Sequence, residues 1–203
     1  MAGAVVVVGF LIGGGIALMS NSAGVGTDAT TRTSAPRLGE RPSKARKEER
    51  QMYQATAQAS IIVNAPRKWV WHALTDPELI QRYFMCADVT TDWQVGSPIT
   101  FAGEWQGTTY EDKGEVLTFA PDEELCFSHW SPMSKTEDAP ENYHVVDITL
   151  GDADGGTEVT LTQSNLTGGV TDADRRSRAE YEKNWASTLE GLKQTVEGAR
   201  QRS

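Results

Sequence analysis

His129 and His144 are the residues of this 203-residue chain whose type and spacing can do chemistry. Leu125 and Phe127 alternate with His129 along one apolar run, and Val146, Ile148 and Leu150 alternate with His144 along another. Each imidazole therefore belongs to the face that a strand turns toward its core. In an apolar cavity an imidazole can hold the polar group of a ligand or move a proton near neutral pH. A hydrogen-bonded or half-exposed histidine at a strand end is the plainer account, and the one favoured here. A metal site needs a third ligand at a suitable spacing, and neither histidine has one, so no metal and no other cofactor is expected.

Aromatic residues offer a second kind of site. Phe101 and Trp105 share a phase on one run, and Tyr181 lies one helical turn before Trp185. Aromatic faces supply contact area at little entropic cost, and tyrosine adds a polar tip, so these four with His129 and His144 form the expected binding set. Catalytic residues are not assigned. The sequence holds no Gly-x-Ser-x-Gly elbow and no glycine-rich phosphate loop. The acidic run 110–115 places Glu111 and Glu115 with Lys113 on one face and Asp112 on the other, which fits a solvated strand face better than a carboxylate pair.

These residues need elements to position them. Ile61 and Val63 alternate with Ser60, Ile62 and Asn64, so a strand is expected over 53–63. Asn64 can cap the helix that follows, Pro66 suits a first helical turn, and Thr75-Asp76-Pro77 ends that helix and starts another, giving helices at 66–74 and 77–83. Strands are expected near 86–91, 98–104, 109–120, 124–130, 142–151 and 157–165, separated by Gly/Pro/Asp clusters. The cluster Asp152-Ala-Asp-Gly-Gly156 is a hairpin signal. A long helix over 172–199 closes the chain, with Trp185, Leu189, Leu192 and Val196 on one face. Strands, two short helices and one long terminal helix make an α+β domain over 53–203. The loop at 131–141 is long enough to act as a lid.

Asn64-Ala-Pro-Arg67, Val70-Trp-His-Ala-Leu-Thr-Asp-Pro-Glu78 and Arg82-Tyr-Phe84 together resemble the opening of the SRPBCC (START-like) superfamily, in particular the activator of heat-shock protein 90 ATPase homologue family. Later landmarks follow in order, among them Trp93-Gln-Val-Gly96, Gly114-Glu-Val-Leu117, Leu125-Cys-Phe-Ser-His-Trp130 and Gly156-Thr-Glu-Val-Thr-Leu161. Tyr83-Phe84 stands where many relatives carry Trp-Trp or Trp-Phe. The resemblance implies the helix-grip fold, a curved antiparallel sheet around the terminal helix, with a cavity between them. It also implies three functions: holding a small hydrophobic ligand without catalysis, contacting a chaperone, or acting as a polyketide-cyclase-like enzyme. The first is the leading expectation.

Charge narrows the partners. Residues 1–52 carry seven Lys/Arg against four Asp/Glu, which leaves 12 against 24 on residues 53–203. An acidic domain is a poor match for nucleic acid, whose binding needs clustered Lys/Arg. The run Arg175-Arg176-Ser177-Arg178 is flanked by Asp172, Asp174 and Glu180, so no nucleic-acid partner is expected. Cys86 and Cys126 lack metal-ligand spacing and read as buried thiols. Residues 1–52 form an apolar segment at 2–19 followed by a linker that becomes basic. Three readings compete for it: a membrane tether, a cleaved signal peptide, and translation starting at Met52. The domain is expected in the cytoplasm, free or tethered through residues 2–19.

Overall fold

A computed structural model describes residues 54–84, 88–105 and 107–200, except for the side chains of Trp105 and Arg200. Strand β1 (Ala55–Val63) leads into helices α1 (Arg67–Thr75) and α2 (Pro77–Ile80). Strands β2 (Asp88–Thr90), β3 (Pro98–Trp105), β4 (Thr108–Ala120) and β5 (Glu124–His129) follow. Two short 3-10 turns then lead to β6 (His144–Ala153), β7 (Gly156–Asn165) and the long helix α3 (Asp172–Arg200). The seven strands form one antiparallel sheet in the order β1-β7-β6-β5-β4-β3-β2. α1 and α2 connect its two edge strands, and α3 lies across its inner face. This is the α+β helix-grip fold.

Local signals account for most boundaries. The β6–β7 hairpin closes on a two-residue turn, Asp154-Gly155, between paired Ala153 and Gly156, with Gly155 at φ +76° where an L side chain would be strained. Asp76 caps α2 by accepting from the backbone N–H groups of Glu78 and Leu79 at 2.9 and 3.1 Å. Replacing Asp76 by alanine is expected to lower stability by about 1 kcal/mol, the usual loss at an N-cap, read as a shifted urea midpoint. α3 starts in a capping box: Asp174 N–H donates to Thr171 Oγ1 at 3.1 Å, and the Asp174 carboxylate accepts from Thr171 N–H at 2.7 Å.

Two expectations at the first helices change. α1 begins at Arg67 with Pro66 as its N-cap, and no side chain caps it. Asn64 instead donates through its backbone N–H and its Nδ2 to Glu197 Oε1, both at 2.9 Å, tying the end of β1 to the last turns of α3. The Glu197 carboxylate therefore holds the Asn64 side chain towards α3 instead of leaving its Oδ1 to accept from the first turn of α1. α2 ends at Ile80 and Tyr83-Phe84 lie in the following turn, against α3 where Gly191 leaves room: a Cβ on Gly191 would meet the Cβ of Tyr83 at 2.9 Å.

The core lies between the sheet and α3. Inward residues Val116, Leu125, Phe127, Val146, Ile148, Val159 and Leu161 meet Tyr181, Trp185, Leu189, Leu192 and Val196 of the helix. Among the described residues no helix is long and apolar enough to cross a membrane, and the segment 2–19 lies outside them. Cys126 is a buried thiol on β5, while Cys86 lies outside the described residues.

Candidate functional site

The sheet and α3 do not fill the space between them. Ile99 and Phe101 of β3, Leu125 and Phe127 of β5, Val146 and Ile148 of β6 and Leu161 of β7 form one wall of a hollow. Trp185, Thr188, Leu189 and Leu192 of α3 form the other, and Leu74, Ile80, Tyr83, Phe84 and Trp93 complete it. The free room is about 40 Å³, taken as the space open to the centre of a water molecule; counted to its mouth with all interatomic space it is about 500 Å³. The first figure describes what can enter without rearrangement. Tyr83, Phe84, Trp93 and Thr188 keep partial exposure, which puts the mouth on their side.

Polar tips turn away from this hollow. Tyr83 donates its hydroxyl to the carbonyl of Ala73 at 2.9 Å, and burial raises its pKa. Trp185 donates its indole N–H to Gln163 Oε1 at 2.8 Å, and Thr188 donates to the Asn184 carbonyl at 3.2 Å. What faces inward is carbon, so the hollow attracts apolar matter by excluding water rather than by directional bonds. Aromatic rings line its entrance: Phe84 lies 5.2 Å from Phe101 and 6.5 Å from Trp185 between centroids, and Trp93 lies 5.7 Å from Phe119. Trp93 has φ +59°, a left-handed backbone that costs a bulky residue about 1–3 kcal/mol.

A buried polar cluster adjoins the hollow behind Phe101. His129 and His144 face each other across β5 and β6 as a register pair. His129 is 1% exposed, with its Nε2 3.0 Å from Asp112 Oδ2, and Asp112 itself is buried on β4 opposite Phe101. His144 Nδ1 lies 3.4 Å from Gln163 Nε2. Asn165, opposite His144 on β7, donates to Asp174 Oδ2 at 2.9 Å. The pKa of His144 is lowered to about 4, first because burial penalises the cation and then because His129 lies nearby; Asp174 and Asn165 offset part of this. His144 is thus neutral at pH 7.

Of the expected binding set, Phe101 and Trp185 line the hollow. His129 and His144 sit in the polar cluster. Tyr181 is buried nearer the start of α3, where burial chiefly raises its pKa, a hydrogen bond with Ser177 offsets part of this, and the charges of Asp174 and Glu180 add to it. Trp105 occupies the end of β3, and its side chain lies outside the described region. Asp112 was not expected here. Glu111, Lys113 and Glu115 are exposed, as a solvated face requires, but the residue alternating with them is buried against a histidine. The available signal was its phase with the inward residues Tyr110 and Val116. Among the described residues no group of three or more His, Cys, Asp or Glu is placed to hold a metal ion.

The loop at 131–142 packs on the outer side. Trp130 stacks on Tyr143 at 6.3 Å, Lys113 pairs with Asp138 and lies over the Trp130 ring, and Tyr143 donates to Asp138 at 2.7 Å. No residue of this loop lines the hollow.

A family model described as activator of Hsp90 ATPase homolog 1-like protein matches residues 64–197. No curated protein matches the chain. Among solved structures, the chain is similar to a solution structure of a Cytophaga hutchinsonii protein at 43% identity, covering 71% of this chain and 95% of that one with a TM-score of 0.59. At 22% identity it is similar to the Aha1 dimer from Colwellia psychrerythraea, covering 69% and 94% with a TM-score of 0.52. A crystal structure from Nitrosomonas europaea matches at 18% identity, 71% and 95% coverage and a TM-score of 0.57. The last two likenesses concern the fold.

Proposed function

Because the chain belongs to the activator of Hsp90 ATPase homolog 1-like family, we propose that it holds a small apolar molecule in the hollow between its sheet and α3 and performs no chemistry on it. The observation that carries this reading is a hollow walled by carbon, whose tyrosine, threonine and Trp185 tips are all engaged elsewhere. A catalytic site needs reactive groups that converge where the substrate sits. Here the candidate groups Asp112, His129 and His144 stand outside the lining.

Size sets the kind of ligand. Pockets for drug-sized molecules span about 300–1,000 Å³, and the free room here accepts only a few heavy atoms without movement. A larger guest must displace Phe84 or Trp93, the half-buried aromatic rings beside the mouth. Strain in the Trp93 backbone lowers the cost of such a displacement.

Native mass spectrometry of the full chain, purified gently from its natural host and compared with its denatured mass, tests this reading. The expected result is an additional small mass that is lost on denaturation. A bare mass together with no uptake of an apolar dye would overturn it and favour the family's other association, contact with a chaperone. Turnover of a bound polyketide-like chain, abolished by replacing His129, His144 or Tyr181, would favour the cyclase-like enzyme.

A further inference from the structure

We propose that the polar cluster behind Phe101 is a subsite for a hydroxyl group, so that the ligand is an apolar molecule, such as an alkylphenol, carrying one hydrogen-bond donor at its buried end. This rests on the hollow being a ligand site. Asp112 is 5% exposed, and His129 engages only its Oδ2. Asp112 Oδ1 is buried and has no hydrogen-bond partner among the described residues. A buried carboxylate oxygen without a donor is costly, and native proteins seldom leave one unless a further group completes it.

Phe101 connects this oxygen to the hollow. Its ring lines the cavity, packs at 5.4 Å from Phe127 and stands edge-on to His129 at 5.9 Å, and the register puts Asp112 directly opposite Phe101 on the same face of the sheet. Phe101 thus stands beside both the apolar space and the carboxylate, and the proposal requires its ring to move aside for the hydroxyl to reach Asp112.

Charge selects the donor. An ammonium would have to leave water entirely and would need several acceptors to recover its hydration. A hydroxyl needs one acceptor for its one proton, which is what Asp112 Oδ1 offers. A carboxylate or phosphate ligand would meet Asp112 with like charge and is excluded.

The test compares 4-ethylphenol with ethylbenzene by titration calorimetry on the full chain at pH 7. If the hydroxyl meets Asp112, the phenol binds about tenfold tighter or more, the gain expected of a hydrogen bond to a charged group. If the hydroxyl finds no partner, its lost hydration makes the phenol the weaker ligand. Equal or weaker phenol binding beside measurable ethylbenzene binding overturns the subsite and leaves the hollow reading intact. Failure of both compounds to bind overturns both. In Asp112→Leu, which keeps the branched heavy-atom skeleton in a bulkier side chain without a lone pair, the phenol preference should vanish; its persistence overturns the assignment to Asp112. Should that variant not fold, the His129 Cε1–H resonance of the unaltered protein decides the same point. It should shift with 4-ethylphenol and stay in place with ethylbenzene, and no difference between the two overturns the proposal.

Discussion

Trp185→Ala is expected to destabilise the protein by about 4 kcal/mol, near the middle of the range for removing a buried tryptophan. Trp185 is 4% exposed and touches the hollow on one side and the polar cluster on the other. Its removal deletes packing against Phe84, whose ring lies 6.5 Å away, and strips Gln163 Oε1 of the donor that held it at 2.8 Å. Gln163 is 1% exposed, so its carbonyl cannot turn to water. A loss of this size is a large share of a domain's usual stability of about 5–15 kcal/mol, and it reads directly from the urea midpoint if the slope is unchanged.

The same substitution separates packing from binding. It enlarges the hollow by most of an indole and leaves a hydrogen-bond acceptor at the new wall. Added indole should therefore raise the midpoint of Trp185→Ala by mass action while leaving the parent protein nearly unmoved. Trp185→Phe keeps most of the packing and loses only the donor, so its cost should be about 1–3 kcal/mol, that of one buried acceptor left unpaired. If Trp185→Ala and Trp185→Phe proved equally destabilising, the Gln163 bond would dominate and the hollow would contribute little.

Several strands were legible because only one face of each is fully buried. Ile61 and Val63, or Val146, Ile148 and Leu150, announce a period of two that only a half-buried strand produces. Asp154-Gly155 announces its own turn, since few other residue pairs turn so tightly. Phase also gave the inward placement of both histidines. It could not say what each would meet, because that depends on which strands become neighbours and where their pairing shifts. Asp112 reaches His129 only after β4 passes a bulge between Val116 and Thr118, with Gly114 so close to β5 that a Cβ would stand 1.7 Å from the Ser128 carbonyl oxygen. Nothing local in the run 110–115 encodes that offset. Gln163 and Asp174 were hidden for a related reason: one is polar at an inward position, where alternation alone expects an apolar side chain, and the other reads as an ordinary first-turn acid of a helix. The extent of the hollow was illegible too, since Trp93 and the Tyr83-Phe84 turn come to it from loops.

Lowering the pH from 6.5 to about 4 is expected to remove roughly 3 kcal/mol of stability through His144 alone. The unfolded chain binds a proton on this imidazole near pH 6.5, whereas the folded protein resists it until about pH 4. Across that interval the unfolded state holds more protons, so stability rises with pH there and the contribution is complete above 6.5. Burial is the main cause, and the neighbouring His129 adds to it, while Asp174 and Asn165 would favour the cation and so limit the shift. His144→Gln keeps a polar group beside Gln163 without a titrating nitrogen, so urea midpoints of this variant should be nearly flat between pH 6.5 and 4.5 where the parent's fall. Acid loss from other sources occupies a different interval. Asp92 and Asp138 are held below the usual carboxylate range, Asp92 chiefly by Ser97 and Asp138 chiefly by Lys113, so their contributions disappear only as the pH falls below about 4. A parent protein whose stability changed only below pH 4 would show that His144 is open to water, and with it that the polar cluster behind Phe101 is hydrated rather than sealed.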